Sequence, residues 1–136
     1  MKRLLAIDLP LWVILPRKTK KDKKMALNLN IYRNLNFMVN NQMKHIFKEQ
    51  VAPRLVGLKI DTPIEITYTV FYPTKRLADI SNVCCVVDKF FCDTLVETGV
   101  LEDDNYTYIP KVIYAFGGID KDNPRCEAVI RTIEEV

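Results

Sequence analysis

The sequence predicts an α+β fold in a single domain, with two helices packed on a mixed β-sheet. Three observations carry that reading. Apolar residues alternate with period two in 63–72 and form a short bounded run in 11–15. Two other segments repeat apolar residues at helical spacing: Val39, Met43, Ile46 and Phe47, then Val83, Val87, Phe90, Phe91 and Leu95. Gly, Pro, Asn and Asp fall between these stretches, where turns need them. No linker, repeat or low-complexity tract divides the 136 residues, so 1–136 reads as one domain with a core of its own.

The elements follow in order. "MKRLLAIDLPLWVILP" begins like a signal peptide, but Asp8 and Pro10 interrupt its apolar run and eight strongly cationic residues follow. The stretch is also too short to span a bilayer, and it reads as folded strand. "LWVIL", flanked by prolines, predicts a buried strand over 11–15. "RKTKKDKK" (17–24) reads as a cationic loop. In "MALNLNIYRN", Leu27, Leu29 and Ile31 alternate with Asn28 and Asn30, which predicts a half-buried strand. A helix capped by Asn34 or Asn36 follows and stops before Pro53. The strand over 63–72 sets Ile64, Ile66, Tyr68, Val70 and Tyr72 on one face. Ser81 or Asn82 would cap the second helix, which runs to Thr98 with Gly99 as its stop. "KVIYAF" and "CEAVIRTIEEV", joined by "GGIDKDNP", predict a closing hairpin, and the order is β-β-α-β-α-β-β.

The composition narrows function. Four cysteines without CxxC spacing suit reduced, buried thiols of a cytoplasmic protein better than zinc ligands or a disulfide frame. His45 is the only histidine, which argues against histidine-based catalysis; beside Lys44 and Lys48 it reads as a surface residue. Charge is unevenly spread. Residues 79–104 hold seven acids and one base, a net of −6, so the other 110 residues carry about +9 of a chain total of +3. Arg17, Lys18, Lys20, Lys21, Lys23 and Lys24, with Arg33, Lys44, Lys48, Lys75 and Arg76, are candidate phosphate ligands. The acids form either a solvated helix face or a divalent-cation site beside bound DNA. At about 100° per residue, Lys89 and Asp93 share one side of the second helix and Asp88 lies on another. Asp79 precedes that helix and Asp103 and Asp104 follow it, so packing on a sheet would bring Asp79, Asp93 and one of the latter pair to a common cleft.

"RLADISNVCCVVDKFFCDTLVETGVLEDDNY" resembles the RusA family of Holliday-junction resolvases. Asp79 and Asn82 match the opening of its Asp-x-Asp-Asn motif, Lys89 and Asp93 its helical Lys/Asp pair, "DTL" (93–95) its D-x-L, and Asp103–Asp104 its closing acids. Ser81 stands where the family has a second aspartate, and the interval from Asn82 to Lys89 is longer than in short members by about one helical turn. The resemblance implies a RusA-like fold and a homodimer that binds four-way DNA junctions and nicks two opposing strands. It implies Mg²⁺ or Mn²⁺ held by Asp79, Asp93 and Asp104, with Asp88 or Asp103 as further candidate ligands, and Lys89 at the phosphate. Asp79, Lys89 and Asp104 are thus the catalytic candidates, with no small-molecule cofactor, no membrane, and a place on DNA in the cytoplasm of a bacterial host. A non-catalytic DNA-binding module is the competing expectation, and a thiol protein using Cys84, Cys85 and Cys92 the third.

Overall fold

The computed structural model describes residues 1–133. Its elements are β1 (Arg3–Leu9), β2 (Trp12–Leu15), β3 (Lys23–Ala26), α1 (Leu29–Asn34), α2 (Phe37–Val51), a one-turn 3₁₀ helix (Ala52–Leu55), β4 (Ile64–Tyr72), α3 (Ile80–Glu97), β5 (Lys111–Ile119) and β6 (Arg125–Thr132). Four strands form one mixed sheet in the order β1-β6-β4-β5, while β2 and β3 make a separate antiparallel pair. The expected α+β class holds. Among the described residues no helix is long and apolar enough to cross a membrane.

The core forms where alternation and helical periodicity meet. On β4, Ile64, Ile66, Tyr68 and Val70 are fully buried under the helices and Tyr72 is half-buried. Helix α3 has two buried sides. Phe91 packs edge-on against Tyr68 of the sheet, and Phe90 meets Phe47 of α2 and Tyr32 of α1 at centroid distances of 5.7 and 6.1 Å. Each such side chain contributes about 1.5–3 kcal/mol on burial, so α3 is held from both sides. Gly99, at φ 80°, ends it as expected: the Val100 N–H donates to the Leu95 carbonyl at 2.9 Å.

Four expectations need correction. The strand with Leu27, Leu29 and Ile31 on one face does not form; the chain turns into α1 at Leu29, and Asn28 caps it by accepting from the Asn30 N–H at 2.8 Å. A Leu-Asn alternation also fits a helix start, because asparagine is a strong N-cap. Strand β3 instead takes Lys23 and Lys24 from the cationic stretch. The cap of α3 is Asp79, not Ser81 or Asn82. The closing strands do not pair with each other: β5 runs parallel to β4 on the sheet edge, and β6 lies antiparallel between β1 and β4. Burial explains the choice. Cys126, Ala128 and Ile130 are fully buried and need a central strand, whereas β5 exposes Val112, Phe116 and Ile119. The observed order is therefore β-β-β-α-α-β-α-β-β, and residues 134–136 of the expected last strand lie outside the described residues.

Candidate metal and nucleic-acid site along helix α3

The link from β4 to α3 exposes Lys75, Arg76 and Leu77 before Asp79 starts the helix. One Asp79 oxygen, Oδ1, accepts from the Ser81 N–H at 3.0 Å and from the Ser81 hydroxyl at 2.8 Å; Oδ2 has no partner among the described residues. Ser81 thus orients Asp79 rather than adding a charge. A cavity of about 510 Å³ opens in front of this turn, between Asn28 and Asn30 on one side and Tyr72, Arg76, Asp79 and Asn82 on the other. Asn30 also borders a second groove with Lys23 and Lys24, so the cationic hairpin adjoins the cavity.

About two and a half turns further on, Asp88 faces the sheet. Its Oδ1 accepts from the Tyr68 hydroxyl at 2.6 Å and the Cys92 thiol at 3.2 Å, and its Oδ2 accepts from the Tyr114 hydroxyl at 3.1 Å. Tyr68 and Tyr114 are register partners on β4 and β5. Burial first, and then the adjoining Cys92 and Asp88, push the Tyr68 phenol well above its ordinary value. Burial and then the Asp88 charge raise Tyr114 and Cys92 as well, so all three remain donors at neutral pH. A carboxylate with both oxygens held this way joins helix to sheet and is not open to a metal ion. Lys89, the next residue, is exposed and has no ion pair among the described residues.

Near the other end of α3, Asp93 points to α2 and not to Lys89. Lys44 Nζ lies 3.1 Å from Asp93 Oδ2 and 3.1 Å from Glu97 Oε1, and Lys48 reaches Glu97 Oε2 at 3.1 Å. Partial burial acts to lower the Lys44 ammonium, but its hydrogen bonds to Glu97 and Asp93 outweigh that and hold it above its usual value. Beyond Gly99 the acids divide. Asp103 is tied into its own turn, accepting from the Asp104 N–H at 2.7 Å and the Asn105 amide at 3.0 Å. Asp104 is the open one; partial burial, then Asp103 and the nearby Asp93 charge, raise its carboxyl.

The expected common cleft is not formed. Asp79 and Asp93 stand 14 residues apart on one uninterrupted helix, which separates them by about 21 Å along its axis. Among the described residues no group of three or more His, Cys, Asp or Glu side chains is placed to hold a metal ion. The donors present are hard oxygens of the kind Mg²⁺ takes: Asp104 is open and feels the Asp93 charge, and Asp79 has one free oxygen. That ion commonly takes only one or two carboxylates and fills its shell with water and substrate phosphate.

Of the cationic candidates, Lys18, Lys20, Lys21 and Lys23 are exposed, as are Lys75 in the link before α3 and Arg76 at the cavity. Arg17 closes its own loop by donating to the Lys21 carbonyl at 2.7 Å, and Lys24 lies 3.6 Å over the Trp12 ring. His45 is exposed, and Cys84, Cys92 and Cys126 are buried thiols. Sequence reasoning passed over Asn28 and Asn30 as one face of a strand; an Asn-x-Asn ahead of a helical run was the available signal. The tyrosine pair around Asp88 had none, since it depends on strand register. Neither a family model nor a curated protein sequence matches the chain.

Proposed function

We propose that this chain is a metal-dependent endodeoxyribonuclease that, as a homodimer, binds four-way or otherwise branched DNA and nicks it in the cytoplasm of a bacterial cell. One observation carries the reading. Arg76, Asp79 and Asn82, which lie in the RusA-like segment, converge with Asn28 and Asn30 on one polar cavity beside a cationic hairpin. Lys18, Lys20, Lys21 and Lys23 hold backbone phosphates, Arg76 takes one at the cavity rim, and the exposed Lys89 neutralises charge on a phosphate lying along α3. Asp79 at the start of α3, and Asp93 with Asp104 near its end, are two separate sets of candidate carboxylates for Mg²⁺ or Mn²⁺, which when bound would supply an activated water and a Lewis acid. Lys44 holds Asp93 in position until then. Two symmetric nicks need two sites related by a two-fold axis, which is the reason for a dimer.

A specific observation favours a second reading, a DNA-binding module without catalysis: Asp79 and Asp93 lie at opposite ends of α3, and Asp93 is paired with Lys44. Incubating a synthetic four-way junction with the protein in Mg²⁺ and in EDTA separates the two. Paired nicks in Mg²⁺ alone, lost in Asp79→Asn and in Asp104→Asn while binding persists, support the nuclease. Tight binding without nicks in Mg²⁺ or Mn²⁺ supports the module, and failure to bind a junction at all removes both.

A further inference from the structure

We infer that the cavity between α1 and the start of α3 receives a nucleobase of the bound strand, read along its edge by the carboxamides of Asn28, Asn30 and Asn82. The inference rests on the DNA-directed reading above and names what that cavity selects.

The side chains of Asn30 and Asn82 and the guanidinium of Arg76 make no hydrogen bond or ion pair among the described residues, and Asn28 uses only its oxygen, on the Asn30 N–H. Asn28 and Asn82 are both half-buried. A carboxamide presents two donors and an acceptor; Asn30 is exposed and the other two are half-buried, so a ligand entering the cavity must replace the hydrogen bonds that water makes with them. Three such groups lining one cavity specify a ligand that is planar, uncharged and edged with both donors and acceptors.

Charge then decides which part of a nucleotide enters. Asp79 lines the cavity with one unengaged oxygen, so without a divalent ion a phosphate inside would be repelled. The cation Arg76 is exposed, which suits the strand's phosphate outside the cavity. Tyr72 supplies an aromatic wall, and its other side is already stacked on Phe116 at 6.2 Å, which fixes the ring. A cavity of about 510 Å³ is large enough for a nucleoside. Bases next to a strand exchange or in single strands are the ones that leave the stack at least cost.

The test uses the full chain and two readouts. Nick positions are mapped on four-way junctions whose crossover bases are varied one at a time, and binding of single-stranded hexanucleotides of each base is titrated without divalent metal. The wild type should favour one base, and Asn30→Ala and Asn82→Ala should each reduce that preference about tenfold. Asn28→Asp, which keeps the cap oxygen of α1 but removes its amide donors, should do the same. Lys20→Ala should weaken all sequences equally. Alanine suits both helical positions, and a melting curve for each variant verifies folding. Variants that nick or bind with the wild-type preference overturn the inference and leave the nuclease standing. Base-dependent hexanucleotide binding that the variants lose, with no nicking by any protein, sinks the nuclease and keeps the inference. Equal binding of all bases by the wild type, or tighter binding of free mononucleotides than of strands, also overturns it.

Discussion

Asp88 and Ser81 show how much a side chain's role depends on its partners. Asp88 accepts from Tyr68, Cys92 and Tyr114, so it is the link between α3 and the sheet. Asp88→Asn turns one acceptor into a donor facing a phenol and should cost about 1–3 kcal/mol of stability. It should leave the magnesium requirement of nicking unchanged; a right-shifted magnesium titration without loss of stability would contradict that. Ser81, in contrast, touches Asp79, which is exposed at the cavity. Ser81→Asp should lower the magnesium concentration at half-maximal rate, because it adds a second hard oxygen at a helix N-terminus. An unchanged titration would count against metal binding there.

Asp104 belongs to the same scale and has a pH signature. Its folded-state carboxyl is raised, by partial burial and then by Asp103 and Asp93, so its protonated form is favoured in the folded chain. The cost of ionising it is absent below its unfolded pKa and appears as pH rises through the folded value. Asp104→Asn should therefore melt slightly higher than the metal-free wild type at pH 7 and no higher at pH 3. The group is largely solvent-exposed, so the gain should be small and fade with salt. A lower melting temperature at pH 7 in low salt would refute the repulsion.

At the scale of the element, α3 carries Asp79, Asp88 and Asp93 and sets where the turn with Asp103 and Asp104 begins. Its start is set by Asp79 and its end by Gly99, whose positive φ an L-residue rarely adopts. Gly99→Ala should destabilise the fold by about 1 kcal/mol and loosen the turn that carries Asp103 and Asp104, which a denaturant titration reads. The cationic hairpin is the second element with a testable role. Neutralising Lys20, Lys21 or Lys23 should reduce the salt slope of DNA binding by up to about 0.9 for each phosphate no longer neutralised. Lys24 lies over Trp12, so Lys24→Ala should cost stability more than it flattens the slope. A slope unmoved by the first three would make the hairpin an ordinary solvated turn.

For the whole molecule, the position of β6 matters most. A terminal hairpin would leave the last strand at an edge, and its loss would be tolerated. Here β6 fills the slot between β1 and β4, and its buried Cys126, Ala128 and Ile130 complete the core. A chain ending at Pro124 should therefore lack a cooperative melt altogether, since β1 loses its ladder partner and β4 one of its two. A cooperative transition in that fragment would contradict the central placement.

Local signals were legible from the sequence: the buried face of β4, the helix around Phe47, the Gly99 stop, the cationic stretch and the acids of α3 each follow from periodicity, caps and composition within a dozen residues. That range is also where reading failed when two local grammars overlapped, as at Asn28, whose alternation suits a strand and whose side chain suits a cap. Only the tertiary structure decided what lies across from what. It inserted β6 beside β1, set Tyr68 next to Tyr114 around Asp88, turned Asp93 towards Lys44, and brought Asn28 and Asn30 to face Asn82. These pairings join segments from roughly twenty to over a hundred residues apart. They are selected by burying the whole set of apolar faces at once, a condition that no single stretch of sequence expresses.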